Sequence, residues 1–306
     1  MAKSSVDVTV EGRALKLSNI EKVLYPATGF TKGQVIDYYT RVSPVLLPHV
    51  RRRALTLKRY PNGVNAHFFY EKNCPSHRPE WVDTVAVWST GNKADVNYCL
   101  ANDLPTLVWV ANLASLELHT SLARSDDIFR PTMLVFDLDP GPPAAMVECA
   151  RVGLLVREVL DELGLVCFPE TSGSKGLQLY APLNTAVSYD DTKAFAHALA
   201  RLLEARHPEL VVSQMAKDLR KGKVFIDWSQ NDPVKTTVCV YSLRAREQPT
   251  VSTPLTWDEV EALVEKQDPD LVVFEADAVL ERVERDGDLF APVTEVEQQL
   301  PAPPSP

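Results

Sequence analysis

Residues 133–141 read Met-Leu-Val-Phe-Asp-Leu-Asp-Pro-Gly. This apolar run carries two carboxylates at i and i+2 and then stops at Pro-Gly, and it constrains the chain more than any other stretch. The run predicts a buried strand. Side chains alternate across a strand, so Asp137 and Asp139 would project from one face near its end. Two carboxylates so close repel each other unless a cation or a shared proton neutralises them. Hard oxygen ligands of this kind suit Mg²⁺ or Mn²⁺, and a pair of such ions can clamp an in-line phosphoryl displacement. An Asp-x-Asp before Pro-Gly is also an ordinary turn entry, so the motif needs support from elsewhere.

Two further stretches supply it. Thr171-Ser172-Gly173-Ser174-Lys175-Gly176 precedes an expected strand from Leu177, and its small residues would leave backbone N–H groups facing an anion, with Lys175 adding charge. Lys217-Asp218-Leu219-Arg220-Lys221-Gly222-Lys223 feeds an apolar strand that ends in a third carboxylate, Asp227. Carboxylates for metals with Lys and Arg for phosphates form a kit for nucleoside triphosphate chemistry. The kit is not a P-loop, because Gly173-Ser174-Lys175-Gly176 lacks the required spacing.

The charge of −9 over 306 residues opposes nucleic-acid binding only if charge is evenly spread. Basic residues gather at Arg51-Arg52-Arg53, at Lys58-Arg59, between Lys217 and Lys223, and at Arg244 and Arg246, while acidic ones gather between Trp257 and Asp288. The closeness of basic clusters to expected strands and to an aromatic run favours a groove over solvated faces. No apolar run approaches the roughly 20 residues of a membrane span, and the first 20 residues lack a signal-peptide pattern. A cytoplasmic, nucleoid-associated protein with no membrane contact is expected. The cysteines (Cys74, Cys99, Cys149, Cys167, Cys239) are odd in number and lack a C-x-x-C, which argues against a zinc site or a disulfide framework.

Periodicity and caps predict a helix from Thr31 to about Leu47, with Thr31 and Gln34 as a capping box. Further helices are expected over 104–119, 144–163 and 189–206, with another after Thr256. Strands are expected over 54–58, 133–138, 177–181, 224–227 and 237–241, and a disordered tail over 301–306.

Six ordered motifs now resemble one family. Phe136-Asp137-Leu138-Asp139-Pro140-Gly141, the Thr171–Leu183 stretch, Gly222–Asn231 and Tyr241–Arg246 are similar to the polymerase domain of bacterial end-joining ligases, the LigD type within the archaeo-eukaryotic primase superfamily. Leu17–Pro26 continuing to Lys32, and Lys58–Gly63 with Phe68–Lys72 behind it, match as well. The resemblance covers about residues 10–287 and implies a stand-alone member without fused ligase or nuclease. It implies an α+β fold, archaeo-eukaryotic primase-like, with two mixed or antiparallel sheets around a central catalytic cleft flanked by helices. One domain over 1–300 is expected, with an N-terminal lobe over about 1–125, an RRM-like catalytic core over about 126–250 and a C-terminal acidic segment over about 251–300.

The resemblance also implies roles. Asp137, Asp139 and Asp227 match metal ligands for two Mn²⁺ or Mg²⁺ ions, and His119 matches a catalytic His close to them; a lone His ending an apolar helix is otherwise structural. Ser172, Lys175, Arg220 and Arg244 match triphosphate contacts, and Gln230 a residue near the incoming nucleotide. Lys58, Phe69 and Tyr70 match a basic and aromatic wall on which a base could stack; the plain alternative for Phe68-Phe69-Tyr70 is a strand with at least one core position. Lys22 and Lys32 match positions that hold a DNA 5′-phosphate, and Lys32 falls in a first helical turn, where N–H groups favour anions. The implied activity is template-dependent nucleotidyl transfer that fills gaps or extends DNA ends in repair. NTPs would be preferred over dNTPs, with a DNA ligase and an end-binding protein as partners.

One position departs from the family. Gln178 stands where the family has His after Ser-x-x-Lys-Gly-Leu, and a neutral amide can donate to a phosphate but cannot become cationic. The alternative function is therefore a DNA-end-binding module with reduced or decayed polymerase activity. A haloacid-dehalogenase-like phosphatase is disfavoured by Gly141 at the position where that family has Thr or Val, and by Asp227, for which it has no use. A DxD glycosyltransferase would bind Mn²⁺ with a nucleotide sugar and release no pyrophosphate.

Overall fold

The computed structural model describes residues 4–89, 91 and 93–304. The chain divides into two compact units. The first runs through Asp126 and gathers back Thr236–Ser252 and Phe274–Asp288; the second comprises Asp127–Lys235, Thr253–Val273 and the segment from Leu289. The fold is α+β, as expected.

In the first unit an antiparallel sheet runs in the order Thr237–Val238, Ser115–Thr120, Leu55–Arg59, Ala94–Cys99, Thr84–Ser89, with Phe69–Glu71 also pairing to Leu55–Arg59. The helix Lys32–Val50 starts at its sequence cap: Thr31 Oγ1 accepts from Gln34 N, and the Gln34 side chain accepts from Thr31 N. Its buried face sets Val35, Tyr38, Tyr39, Val42 and Leu46 into the core at helical spacing. Burying two tyrosines requires partners for their hydroxyls. Tyr38 donates to Tyr241 O at 2.9 Å, and Tyr39 to Leu116 O at 2.7 Å.

In the second unit the sheet order is Val211–Val212, Val224–Asp227, Met133–Pro140, Leu177–Pro182, Phe168–Thr171, Thr253–Pro254, antiparallel except for its first pair. Met146–Glu162 and Tyr189–Arg206 bury Val152, Val156, Val159, Phe195 and Leu199 at helical spacing. Ser188 caps the latter in a box with Asp191, and Thr256 caps Trp257–Lys266 in a box with Glu259. At two glycines the backbones approach closely. A Cβ at Gly141 would collide with the Arg220 carbonyl, and one at Gly176 with that of Leu138. Both lie in the sequence motifs flanking the carboxylates, so glycine there fixes the loops that carry Arg220 and Lys175.

Four expectations are corrected. The helix expected over 104–119 ends at Asn112; Ala114 adopts a left-handed φ of 58°, and Ser115–Thr120 is a strand. The apolar run that mimicked helical spacing is a strand buried on both faces, with only His119 half-buried. The strand expected over 237–241 stops at Val238, since Tyr241 turns the chain with a φ of 64°. Cys74 and Cys99 form a disulfide across 25 residues, a pairing that spacing alone cannot reveal; the hydrogen bond from Cys74 N to Asn97 O draws its loop onto the Ala94–Cys99 strand. The Arg51–Arg53 cluster is divided between core and surface: Arg53 is core, donating to Leu122 O, while Arg51 donates to Asn102 O and Arg52 pairs with Asp126. Residues 301–304 have no regular secondary structure, and Pro301, Ala302 and Pro303 line a pocket with Asp191 and Ala194; Ser305 and Pro306, also part of the expected tail, lie outside the described residues. Among the described residues no helix is long and apolar enough to cross a membrane.

Asn231 is buried and ties the end of the carboxylate region to the central strand. Its side chain accepts from Val135 N at 3.0 Å and donates to Val135 O at 2.8 Å and Trp228 O at 3.0 Å. Asn231→Ala strands these groups in the core, and an unfolding free energy lower by roughly 2–4 kcal/mol is expected in urea titrations. A loss under 1 kcal/mol would show that the tie contributes nothing of note.

Candidate active site

In the second unit the antiparallel register assembles a polar row. Directly opposed residues share a sheet face, and Glu170 lies opposite Gln178, Gln178 opposite Asp137, and Asp137 opposite Asp227. Asp139 shares that face two residues along. Gln178 Nε2 donates to Asp137 Oδ1 at 3.0 Å, and Tyr180 donates to Gln178 Oε1 at 3.1 Å. Gln178 and Tyr180 therefore share a face, as their alternation with Leu177 and Leu179 predicts, but the amide is spent on a carboxylate and a phenol. Asp227 caps the turn Trp228–Gln230: Ser229 N and Oγ donate to Oδ1, and Gln230 Nε2 donates to Oδ2 at 3.0 Å. Gln230, expected beside a nucleotide, is thus bonded to a carboxylate.

Burial and the neighbouring Asp227 carboxylate raise the Asp139 pKa, against the opposing pull of Arg220. Arg220 lies in the turn Lys217–Arg220, its guanidinium 3.7 Å from the centroid of the Phe225 ring, and donates to Met215 O at 2.8 Å. Its Nε is buried and finds no acceptor among the described residues.

Among the described residues no three His, Cys, Asp or Glu side chains already form a metal cage. The donor set nonetheless fits hard divalent cations: three carboxylates share one region, and Asp139 is held in mutual repulsion that a cation would relieve.

The Ser172–Gly176 loop differs from expectation. Ser172 N donates to Gly176 O, Gly176 N to Ser172 Oγ, and Gly173 N to Thr171 Oγ1. These three amides close the loop on itself and are not presented to an anion. Lys175 stands exposed at its tip.

The first unit gathers a different set. Tyr70, Lys58 and Glu117 lie opposite one another across three strands, and His119 follows Glu117 on the same face. Glu117, 2% exposed, receives Lys58 Nζ at 3.1 Å, His119 Nε2 at 3.0 Å and Ala245 N at 3.1 Å, with Arg244 Nε at 3.5 Å. Burial pushes the Glu117 carboxyl up, but His119, Arg244 and Lys58 together hold it well below the usual carboxylate range. Burial pushes the His119 imidazole down, and Arg244 and Lys58 add to this against the pull of Glu117. Arg244, expected to be a triphosphate contact, is a member of this first-unit cluster. Glu117 was invisible in the sequence because it sat within the misread helix; strand alternation of Glu117 with His119 was the available signal.

Phe68, Phe69 and Tyr70 are 41%, 38% and 56% exposed, so none of the three is core. Phe68 stacks on Tyr60 at 5.1 Å, and Lys58 Nζ lies 4.8 Å from the Phe68 ring, 5.4 Å from Tyr60 and 5.6 Å from Tyr70. Phe69 packs separately, under Arg59. A cation held among aromatic rings is a wall suited to bases and phosphates.

Lys22 and Lys32 line a pocket of about 510 Å³ with Lys16, Arg59, His77 and Trp109. Lys32 is buried and donates to Ser18 O at 2.6 Å, and Lys22 to Asn62 Oδ1 at 2.8 Å. Burial, Lys22 and Arg59 lower the Lys32 pKa to about 8. The first-turn amides expected to draw an anion are taken: Lys32 N bonds Lys22 O, Gly33 N bonds Ile20 O, and Gln34 N bonds Thr31. An anion here would answer to the cationic side chains of the pocket rather than to these amides.

The sequence matches the LigD primase-polymerase domain family over residues 31–290. It is 43% identical over 281 residues to the multifunctional non-homologous end joining protein LigD of Mycolicibacterium smegmatis, covering 91% of this chain and 36% of that protein. To the bifunctional non-homologous end joining protein LigD of Bacillus subtilis it is 31% identical over 274 residues, covering 89% of this chain and 43% of that one. The chain thus spans well under half of these relatives. The polymerase domain of Mycobacterium tuberculosis ligase D, solved in complex with DNA, superposes with a TM-score of 0.85 at 42% identity, covering 93% of this chain and 99% of that one. With residues 31–290 matched and the fold shared, the chain belongs to the LigD primase-polymerase domain family, a family of nucleotidyltransferases.

Proposed function

We propose that this chain is a template-dependent nucleotidyltransferase that fills gaps or extends ends of DNA in repair, preferring NTPs, by a two-metal mechanism. Both units together constitute one primase-polymerase domain, acting on nucleoid DNA in the cytoplasm beside a DNA ligase and an end-binding protein. The observation that carries the reading is the register that sets Asp227 opposite Asp137, with Asp139 and the unsatisfied Arg220 Nε beside them.

Asp137, Asp139 and Asp227 would hold the divalent ions. When bound, such ions supply Lewis acidity for the primer 3′-hydroxyl and charge stabilisation for the leaving pyrophosphate. Gln178 and Gln230 orient Asp137 and Asp227 by hydrogen bonds, so each carboxylate keeps a fixed direction without metal. Arg220 and Lys175 add fixed positive charge for the triphosphate. Lys58 and Arg244 offer cations to the nucleotide, and Phe69 or Tyr70 a face for its base. The template supplies sequence by base pairing, so the protein contacts mainly backbone.

The second reading is an end-binding module with weak polymerisation, favoured by the neutral Gln178. Primer extension on gapped DNA, with binding measured alongside, separates the two: tight binding without extension in either Mg²⁺ or Mn²⁺ would select it.

Three outcomes are expected. Asp139→Asn abolishes metal-dependent extension, while the thermal midpoint holds or rises because a charge repelled by Asp227 is removed; extension at the wild-type rate would end the metal-ligand assignment. NTPs give a higher kcat/KM than matching dNTPs in single-nucleotide incorporation, since a site that hydrogen-bonds a 2′-OH leaves polar groups unpaired without it; the reverse order would refute the preference. A downstream 5′-phosphate strengthens binding to gapped DNA, and Lys22→Ala with Lys32→Ala removes the difference. The gain should also shrink as pH rises from 7 through 9, because the depressed Lys32 pKa, about 8, lets its charge be lost there. Equal affinity for phosphorylated and unphosphorylated gaps would exclude the site.

A further inference from the structure

Lys58, His119 and Arg244 come from three separate segments, yet one carboxylate holds them all. Glu117 is nearly inaccessible, so it cannot itself serve a substrate in solution. Its carboxylate only accepts hydrogen bonds. The proton of the His119–Glu117 contact therefore sits on His119 Nε2, and a neutral ring then leaves Nδ1 as an acceptor. Burial together with Lys58 and Arg244 keeps the ring neutral. The Tyr70 ring closes edge-on against His119 at 6.1 Å, limiting rotation of the imidazole. The Arg244 backbone is pinned independently by the Tyr25 hydroxyl at 3.0 Å and by Thr250 O at 2.7 Å, so Glu117 governs the side chain alone.

We propose that Glu117 is a positioning residue that holds Lys58, His119 and Arg244 as one constellation and fixes the His119 proton on Nε2, so that Nδ1 faces the substrate as an acceptor. The proposal rests on the reading of Lys58 and Arg244 as nucleotide contacts. An Nδ1 acceptor pairs with a hydrogen-bond donor of the substrate, not with a phosphate oxygen.

The test uses the full chain and the variants Glu117→Gln and Glu117→Asp. Nitrogen NMR of histidine-labelled protein reads the His119 tautomer, and equilibrium titration with ATP reads nucleotide affinity. Glu117→Gln keeps the shape but not the charge; His119 is expected to shift from a single Nε2–H form to a mixture, and the ATP Kd to rise about tenfold. The 5′-phosphate preference on gapped DNA, carried by Lys22 and Lys32, should be unchanged, which a general structural defect would not allow. Glu117→Asp retains the charge on a shorter stem; it should keep the Nε2–H form with an ATP affinity between the other two. If Glu117→Gln loses its folded circular-dichroism spectrum, Glu117→Asp carries the affinity comparison, and an ATP Kd equal to that of the unaltered chain then overturns the proposal. An unchanged tautomer in Glu117→Gln overturns the proposal, as does an unchanged ATP Kd when the tautomer moves. Absence of ATP binding by the unaltered chain would instead sink the nucleotide reading, while the NMR comparison would still decide whether Glu117 holds His119.

Discussion

A charge on a sheet face meets whatever residue the register sets across the strand, and that constraint organises both units. In an antiparallel sheet directly opposed side chains share a face. Register therefore decides which polar groups meet, however far apart they lie in sequence. Lys58 and Glu117 are 59 residues apart and become an ion pair through the Leu55–Arg59 and Ser115–Thr120 strands. Asp137 and Asp227 are opposed through Met133–Pro140 and Val224–Asp227. A slip of one residue in either pairing would turn these groups to the opposite face and strand them among Leu116, Leu118, Leu138 and Ile226. The cores that stabilise the fold also fix the chemistry.

The two rows solve the charge problem in opposite ways. In the first unit Glu117 is surrounded by His119, Arg244 and Lys58, and its carboxyl is held far down. That cluster is electrostatically complete, and removing one partner from a buried pair typically costs on the order of 3–5 kcal/mol. In the second unit Gln178 donates to Asp137, and burial and the Asp227 carboxylate push the Asp139 carboxyl up against the pull of Arg220. That row keeps like charges in mutual repulsion. A protein retains such imbalance where a ligand charge is to be accepted, and the sign here calls for cations. The first row thus holds its side chains by attraction, while the second keeps carboxylates in mutual repulsion.

Much of this was legible in the sequence because the relevant signals are local. Asp-x-Asp at a strand end, the third carboxylate at Asp227 and the Thr31, Ser188 and Thr256 caps need only a few neighbouring residues to be read. What was lost depended on distant partners. Residues 113–120 carry apolar side chains compatible with either period, and only the turn at Ala114 reveals the strand; with it went Glu117 and the true setting of His119. The Cys74–Cys99 pairing depends on a strand bringing one cysteine to the other. Lys32 was placed correctly in a first helical turn, but its amides are taken by Lys22 and Ile20 carbonyls, which no local rule announces. Phe68, Phe69 and Tyr70 alternate like a half-buried strand, yet all three are exposed, because the cation beneath Phe68 and Tyr70 belongs to the sheet and not to an apolar layer.

Gln178 shows what the family departure changes and what it leaves. The position needs one donor toward Asp137 and one acceptor for the Tyr180 hydroxyl, and an amide supplies both. A neutral imidazole has one donor and one acceptor as well, so the orientation of Asp137 does not require the family residue. What the amide cannot provide is a positive charge. A protonated ring at this point would attract the carboxylates, whereas the amide adds no charge to the row. Gln178 therefore preserves the geometry of the carboxylate row without neutralising it. The substitution is better read as a change in how the site is balanced than as decay of the site.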